Sequence, residues 1–130
     1  MLHPNQFQVN EAWIVFKLND ELIRTELDGD FNLFALMDAA SCYILGSAMV
    51  KAGAAELDQM ESRRLLEEGR AHKKQLPATL FVPRELSAGI LTAEAERQGI
   101  NVIRAEEYQL LVFIGEARES FKKYSRANRH

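Results

Sequence analysis

Phe34-Ala35-Leu36-Met37-Asp38-Ala39-Ala40-Ser41-Cys42-Tyr43-Ile44-Leu45-Gly46 is two apolar runs parted by an acid and a group of small residues. Runs of this length and composition fit β-strands, and the small polar break between them fits a tight turn joining antiparallel neighbours. Asp38 suits the first position of such a turn, because a short carboxylate accepts hydrogen bonds from backbone N–H groups two residues on. The stretch therefore predicts a hairpin, with one strand over about Asn32–Met37 and the next from Cys42 to about Val50.

Upstream, Ala12-Trp13-Ile14-Val15-Phe16-Lys17-Leu18 is rich in β-branched and aromatic residues and predicts a first strand. Asp28-Gly29-Asp30 is a turn signal, and residues 21–26 read equally as strand extension or helical turn. Residues 1–10 are polar and read as a flexible N-terminal arm. Downstream the pattern turns helical. Ala54–Lys74 is rich in good helix formers and ends before Pro77, which cannot donate to the helical ladder. Thr79-Leu80-Phe81-Val82 has the composition of a buried strand. A helix is predicted over Glu85–Gln98, with Gly99 just past its end, and a strand over Asn101–Arg104. Leu110, Ile114, Ala117, Phe121 and Tyr124 recur at helical spacing and predict a last helix.

The predicted fold class is thus α/β, a five-stranded mixed sheet in the order β-β-β-α-β-α-β-α with helices on the sheet faces. Strands reached through helical crossovers should lie parallel and be connected right-handedly. The 130 residues suit one domain, placed at 11–125 and followed by a basic tail over 126–130.

Charge narrows the function classes. The chain carries −3, but Lys122, Lys123, Arg126 and Arg129 leave residues 1–121 at −7. An acidic body disfavours broad binding to phosphate backbones, so nucleic acid is expected to touch the basic tail at most. No apolar run approaches the roughly 18 residues of a membrane span. Residues 1–6 show neither a basic nor an apolar leader region, which makes a cytoplasmic setting the expectation. Cys42 is the lone cysteine and reads as a small buried hydrophobe of a core strand. His3, His72 and His130 are too far apart in sequence to make a Cys/His metal site, and no glycine-rich phosphate loop is present.

The element order resembles the ribonuclease H-like superfamily, and within it the retroviral-integrase and transposase core. Trp13 opening the first strand and Asp38-Ala39-Ala40-Ser41 before Tyr43-Ile44-Leu45-Gly46 carry the resemblance, which spans residues 11–125. It implies carboxylates in the first strand, just after the fourth strand and on the last helix, holding two divalent metals for phosphodiester chemistry. This sequence departs from that set. Phe16 stands three residues after Trp13, where the family commonly has Asp, and Ala12–Leu18 contains no acid. After the fourth strand the family's Asp-x-Gly is replaced by Val82-Pro83-Arg84-Glu85, and the last helix offers Glu116 and Glu119.

Three readings follow. The first is a non-catalytic interaction or oligomerisation module, with a protein partner or a second copy and no cofactor. The second is a divergent Mg²⁺- or Mn²⁺-dependent nuclease or strand-transfer enzyme, with a displaced acidic cluster of Asp38, Glu85 and Glu116. For each of these acids the alternative is structural, a turn for Asp38 and solvated helix positions for the other two. The third is a binder of small anions through Arg84 and Arg104, which follow neighbouring parallel strands.

Overall fold

The computed structural model describes residues 2–27 and 29–127. Eight elements follow in the expected order: β1 (Ala12–Lys17), β2 (Phe31–Asp38), β3 (Ile44–Lys51), α1 (Gln59–Lys73), β4 (Thr79–Pro83), α2 (Gly89–Arg97), β5 (Asn101–Ala105) and α3 (Glu107–Ala127). They form one five-stranded sheet in the spatial order β3-β2-β1-β4-β5. The β1–β2 and β2–β3 pairs are antiparallel, and β4 lies parallel to both β1 and β5.

β1 is the central strand, and its composition follows from that place. A strand covered on both faces must be apolar at every position, not at alternate ones. Trp13 and Val15 point to one side, where α1 and α2 supply Leu65, Leu66, Leu91 and Ala95. Ala12, Ile14 and Phe16 point to the other, where α3 supplies Leu110, Phe113 and Ile114. Two helices therefore cover one face of the sheet and one helix the other.

α1 comes close enough to press Gly69 onto the Trp13 ring. A Cβ at Gly69 would sit 2.8 Å from Trp13 Cη2 and 2.9 Å from Leu36 Cδ2, and both side chains are fully buried. Gly69→Ala should gain about 1 kcal/mol of helix propensity and lose about 1–3 kcal/mol to overpacking. Net destabilisation in urea unfolding is the expected outcome, and a stabilised variant would show that the helix can lift off the ring.

α1 and α2 are joined through Glu94, whose side chain is nearly buried. It accepts from Arg63 Nε at 3.0 Å and Gln98 Nε2 at 3.3 Å, and it pairs with Arg97. Burial pushes its pKa up, but the hydrogen bonds from Gln98 and Arg63 and the charges of Arg63 and Arg97 outweigh this and hold it below the ordinary carboxylate value. A carboxyl held low in the folded state binds its proton more readily when unfolded. Its stabilisation is therefore complete above the ordinary carboxylate range and is lost as pH falls through the depressed folded value. Glu94→Gln should lower stability above the carboxylate range, converge with the parent chain at low pH, and so flatten the acid limb of a stability–pH curve.

Several boundaries shift from the sequence expectation. α1 starts at Gln59, five residues later than predicted, because the Asp58 carboxylate accepts from Glu61 N and caps the helix there. Glu56, expected inside that helix, instead accepts from Gly89 N at 2.7 Å and Ile90 N at 3.2 Å. It supplies from a distance the cap that Ala88 cannot give, so α2 begins at Gly89 rather than Glu85. Cys42 is not in a core strand. It lies half-buried in the turn with φ +60°, and β3 begins only at Ile44. Residues 19–27 contain no helix; Ile23 makes an isolated bridge to Phe31.

Within residues 2–10, read as an arm, Leu2 and Phe7 pack on the α3 side. Phe7 packs edge-on to Phe81 with ring centroids 5.7 Å apart and tilted to Phe113 at 6.1 Å. Of the basic tail, Arg126 and Ala127 fall in α3, and residues 128–130 lie outside the described residues.

Candidate functional site

The centre of the α3 side is where the first-strand acid of the resembled family would stand. Phe16 occupies it, fully buried and paired in register with Ala35. The α3 residue that reaches it is neither Glu116 nor Glu119 but Arg118. Its guanidinium carbon lies 5.9 Å from the centroid of the Phe16 ring, and its Nε donates to Lys17 O at 3.0 Å. Arg118 also pairs with Glu107 at 2.5 Å, and its side chain is only 21% exposed. Helical periodicity explains the choice. Positions 110, 114 and 117 set the inward face of α3, and 118 flanks it, whereas 116 and 119 point away and are exposed. A guanidinium repels a divalent cation and a phenyl ring supplies no oxygen to hold one, so neither is a ligand.

The other family positions also bear cations or bonded groups. After β4, Arg84 pairs with Glu106 at 3.3 Å. The Glu85 carboxylate accepts from Glu107 N at 3.2 and 3.4 Å, which caps α3 at its N-terminus. Arg104 donates through Nη2 to Arg84 O at 3.1 Å and Leu86 O at 2.5 Å, so Arg84 and Arg104 do meet at one edge, each engaged with its neighbours. Arg84 Nε also donates to Arg104 O at 3.4 Å.

Asp38, the acid with the most distinctive sequence position, is fully buried and holds three hydrogen bonds. Its Oδ1 accepts from Asn10 N at 2.7 Å, and its Oδ2 from Ser41 N at 3.0 Å and Ser41 Oγ at 2.7 Å. Asn10, at φ +67°, accepts in turn from Trp13 Nε1 at 2.7 Å and donates to Gln75 O. The carboxylate thus closes the β2–β3 turn and ties the N-terminal segment to the sheet. Asp38, Glu85 and Glu116 do not form one cluster: Asp38 and Glu116 both act on the Cys42 thiol, while Glu85 caps α3. Among the described residues, no three His, Cys, Asp or Glu side chains form a group able to hold a metal ion. Burial, with the Asp38 and Glu116 charges, pushes the Cys42 thiol pKa up, away from the reactive thiolate form.

One feature of this face escaped the sequence reading. A helix about 10 Å across cannot span five strands set roughly 4.8 Å apart. The corner that α3 leaves uncovered is floored by Leu18, Phe31, Leu33 and Met49 and walled by Ile23 and Phe121, a groove of about 900 Å³. The alternation was available in the sequence, since 31 and 33 share the face of 35 and 37; the placement of residues 19–24 beside it was not.

Solved structures share this architecture. The chain aligns over 98% of its length with 44% of a simian T-cell lymphotropic virus intasome chain in complex with PP2A regulatory subunit B56 gamma, at 14% identity and TM-score 0.60. It covers 85% of itself and 84% of the HTLV-2 integrase catalytic core domain in complex with magnesium, at 11% identity and TM-score 0.53. It covers 93% of itself and 75% of the BIV integrase catalytic core, at 8% identity and TM-score 0.54. The fold is ribonuclease H-like. This ribonuclease H-like chain thus spans less than half of the intasome chain and most of the isolated catalytic cores. No protein-family model and no curated protein matches the sequence. Among the described residues, no helix is long and apolar enough to cross a membrane.

Proposed function

We propose that this chain is a non-catalytic interaction module built on the integrase-core scaffold, acting in a reducing, cytoplasmic setting. The observation that carries the reading is the pairing of Phe16 with Arg118 at the sheet centre. Two-metal phosphodiester chemistry needs converging carboxylates to hold its ions. Here the central strand offers a buried hydrocarbon ring and the last helix a cation already paired with Glu107. Support for an interaction role comes from the apolar surface left on the same side, in the groove and on the outer face of α3.

The test is a cleavage and strand-transfer assay on single- and double-stranded DNA and RNA with Mg²⁺ and with Mn²⁺. No turnover above a buffer control is expected. Metal-dependent cleavage that disappears in Glu116→Gln would overturn the reading and favour the displaced-cluster enzyme.

A further inference from the structure

β3 lies at one edge of the sheet, and the ladder behind it fixes which of its backbone groups face outward. Leu33 N donates to Asn19 Oδ1 at 2.7 Å and Leu33 O accepts from Leu18 N at 2.8 Å, so Leu33 faces β1. Its neighbour Phe34 faces β3 instead, opposite Ala48. By the same alternation Ser47 and Met49 turn their N–H and C=O groups away from the sheet. Such a row is a template for a strand of another chain. The strand itself does little to discourage one. It has eight residues, no proline and one charged side chain, Lys51, at its last position. Its register shift lies at the Ile44 end and leaves the ladder regular from Gly46 to Lys51.

The middle of this edge is where α1 places Arg64. Arg64 Nη2 donates to Ser47 O, an outward carbonyl, at 2.9 Å. The guanidinium is held in turn by Glu61 and by Glu68, each at 2.8 Å. Gly46 makes the approach possible. A Cβ at Gly46 would lie 2.6 Å from Glu68 Oε1, so a side chain there would push Glu68 off the strand. Exposed ion pairs between neighbouring turns of a helix contribute little to stability. Neither that contribution nor helix formation calls for a contact with Ser47 O or for a glycine at 46.

We infer that Glu61, Arg64 and Glu68 form a clamp that guards the β3 edge against strand addition. The strand it excludes is β3 of a second copy laid antiparallel, because such an edge presents matching donors and acceptors to its own twofold mate. That pairing needs Ser47 O, which Arg64 occupies. The inference goes beyond the interaction-module reading and does not rest on it.

The test is Arg64→Ala in the full chain, with sedimentation velocity and amide hydrogen exchange followed over a concentration series. In the parent, the Ser47 and Met49 amides should gain no protection as concentration rises. In Arg64→Ala the chain should self-associate, and exchange at both amides should slow at least about tenfold. Met49→Lys in the same background should restore the parent behaviour, since it brings like charges together across the twofold. Met49 is 47% exposed, so this change leaves the core intact. Arg70→Ala, which breaks the ion pair with Glu67 on the same helix, should leave both readouts at the parent values. An Arg64→Ala chain that matches the parent overturns the inference. So does association that Met49→Lys fails to reverse, or that Arg70→Ala reproduces. Each of these leaves the interaction-module reading standing, whereas metal-dependent cleavage by a chain with a working clamp would do the reverse.

Discussion

Replacing Asp38 with alanine is expected to lower the unfolding free energy by about 3–5 kcal/mol. The carboxylate is fully buried and accepts three hydrogen bonds, two of them from backbone N–H groups. Bonds to a charged acceptor contribute roughly 1.5–3 kcal/mol each. The partners differ in what they lose. Ser41 is exposed and can turn to water, but Asn10 is buried, and its N–H would be left without an acceptor. Loss of the Asn10 contact also loosens the acceptor of Trp13 Nε1, so the damage should spread to the core beneath α1. Asp38→Asn separates charge from shape. One amide oxygen can still accept, but the amide nitrogen must face a second donor, so about half of the loss should remain. The measurement is urea unfolding followed by Trp13 fluorescence. If Asp38→Ala unfolds within about 1 kcal/mol of the parent chain, the turn is held by its backbone bonds alone, from Asp38 N to Tyr43 O and from Cys42 N to Asp38 O.

The fold was legible because its strongest signals are local. β1 reads as a strand buried on both faces from its unbroken apolar run, and the hairpin reads from its acid-small-small-serine break. The alternation of helix and strand after Gly53 then leaves little choice but parallel crossovers. What failed has two causes. The start of α2 is set by Glu56 acting across 33 residues, a bond that no periodicity records. The start of α1 is set locally by Asp58 on Glu61 N, a capping signal hidden among the helix formers before it. Cys42 looked like a strand residue by its neighbours' composition, yet the turn needs it at positive φ.

The site was legible in part. Sequence alone placed Phe16 where an acid is absent, and it placed Asp38 in its turn. It could not choose among Glu116, Arg118 and Glu119 as the α3 residue nearest β1, because the phase of the helix against the sheet shows only in three dimensions. Asn10 was missed although a signal existed: a buried tryptophan N–H needs an acceptor, and Asn10 is three residues before Trp13.

Phe16→Asp is the sharper test, since it writes the family's acid back into the central strand. It should destabilise the chain by at least about 4 kcal/mol. Truncating a buried phenylalanine costs about 3–5 kcal/mol, and desolvating a carboxylate there adds several more. Arg118 offsets part of this, because its guanidinium already lies over the position. The coupling can be isolated. Arg118→Gln alone frees Lys17 O and Glu107 from a largely buried partner, and in the Phe16→Asp background it also strips the new acid of its counter-charge. The double variant should therefore be worse than the sum of the singles, by about 0.5–3 kcal/mol. Against a typical total stability of 5–15 kcal/mol, that double variant sits near the limit of folding. Phe16→Leu, which keeps the site apolar, should cost about 1–2 kcal/mol and serves as the packing control. Adding Mg²⁺ should rescue none of the acidic variants, because a two-metal centre needs several carboxylates converging on one point and Glu85 is committed to capping α3. A Phe16→Asp chain that is stabilised by Mg²⁺ and cleaves DNA would show that the scaffold keeps its other ligands within reach, and that one side chain on β1 separates a binding module from a nuclease.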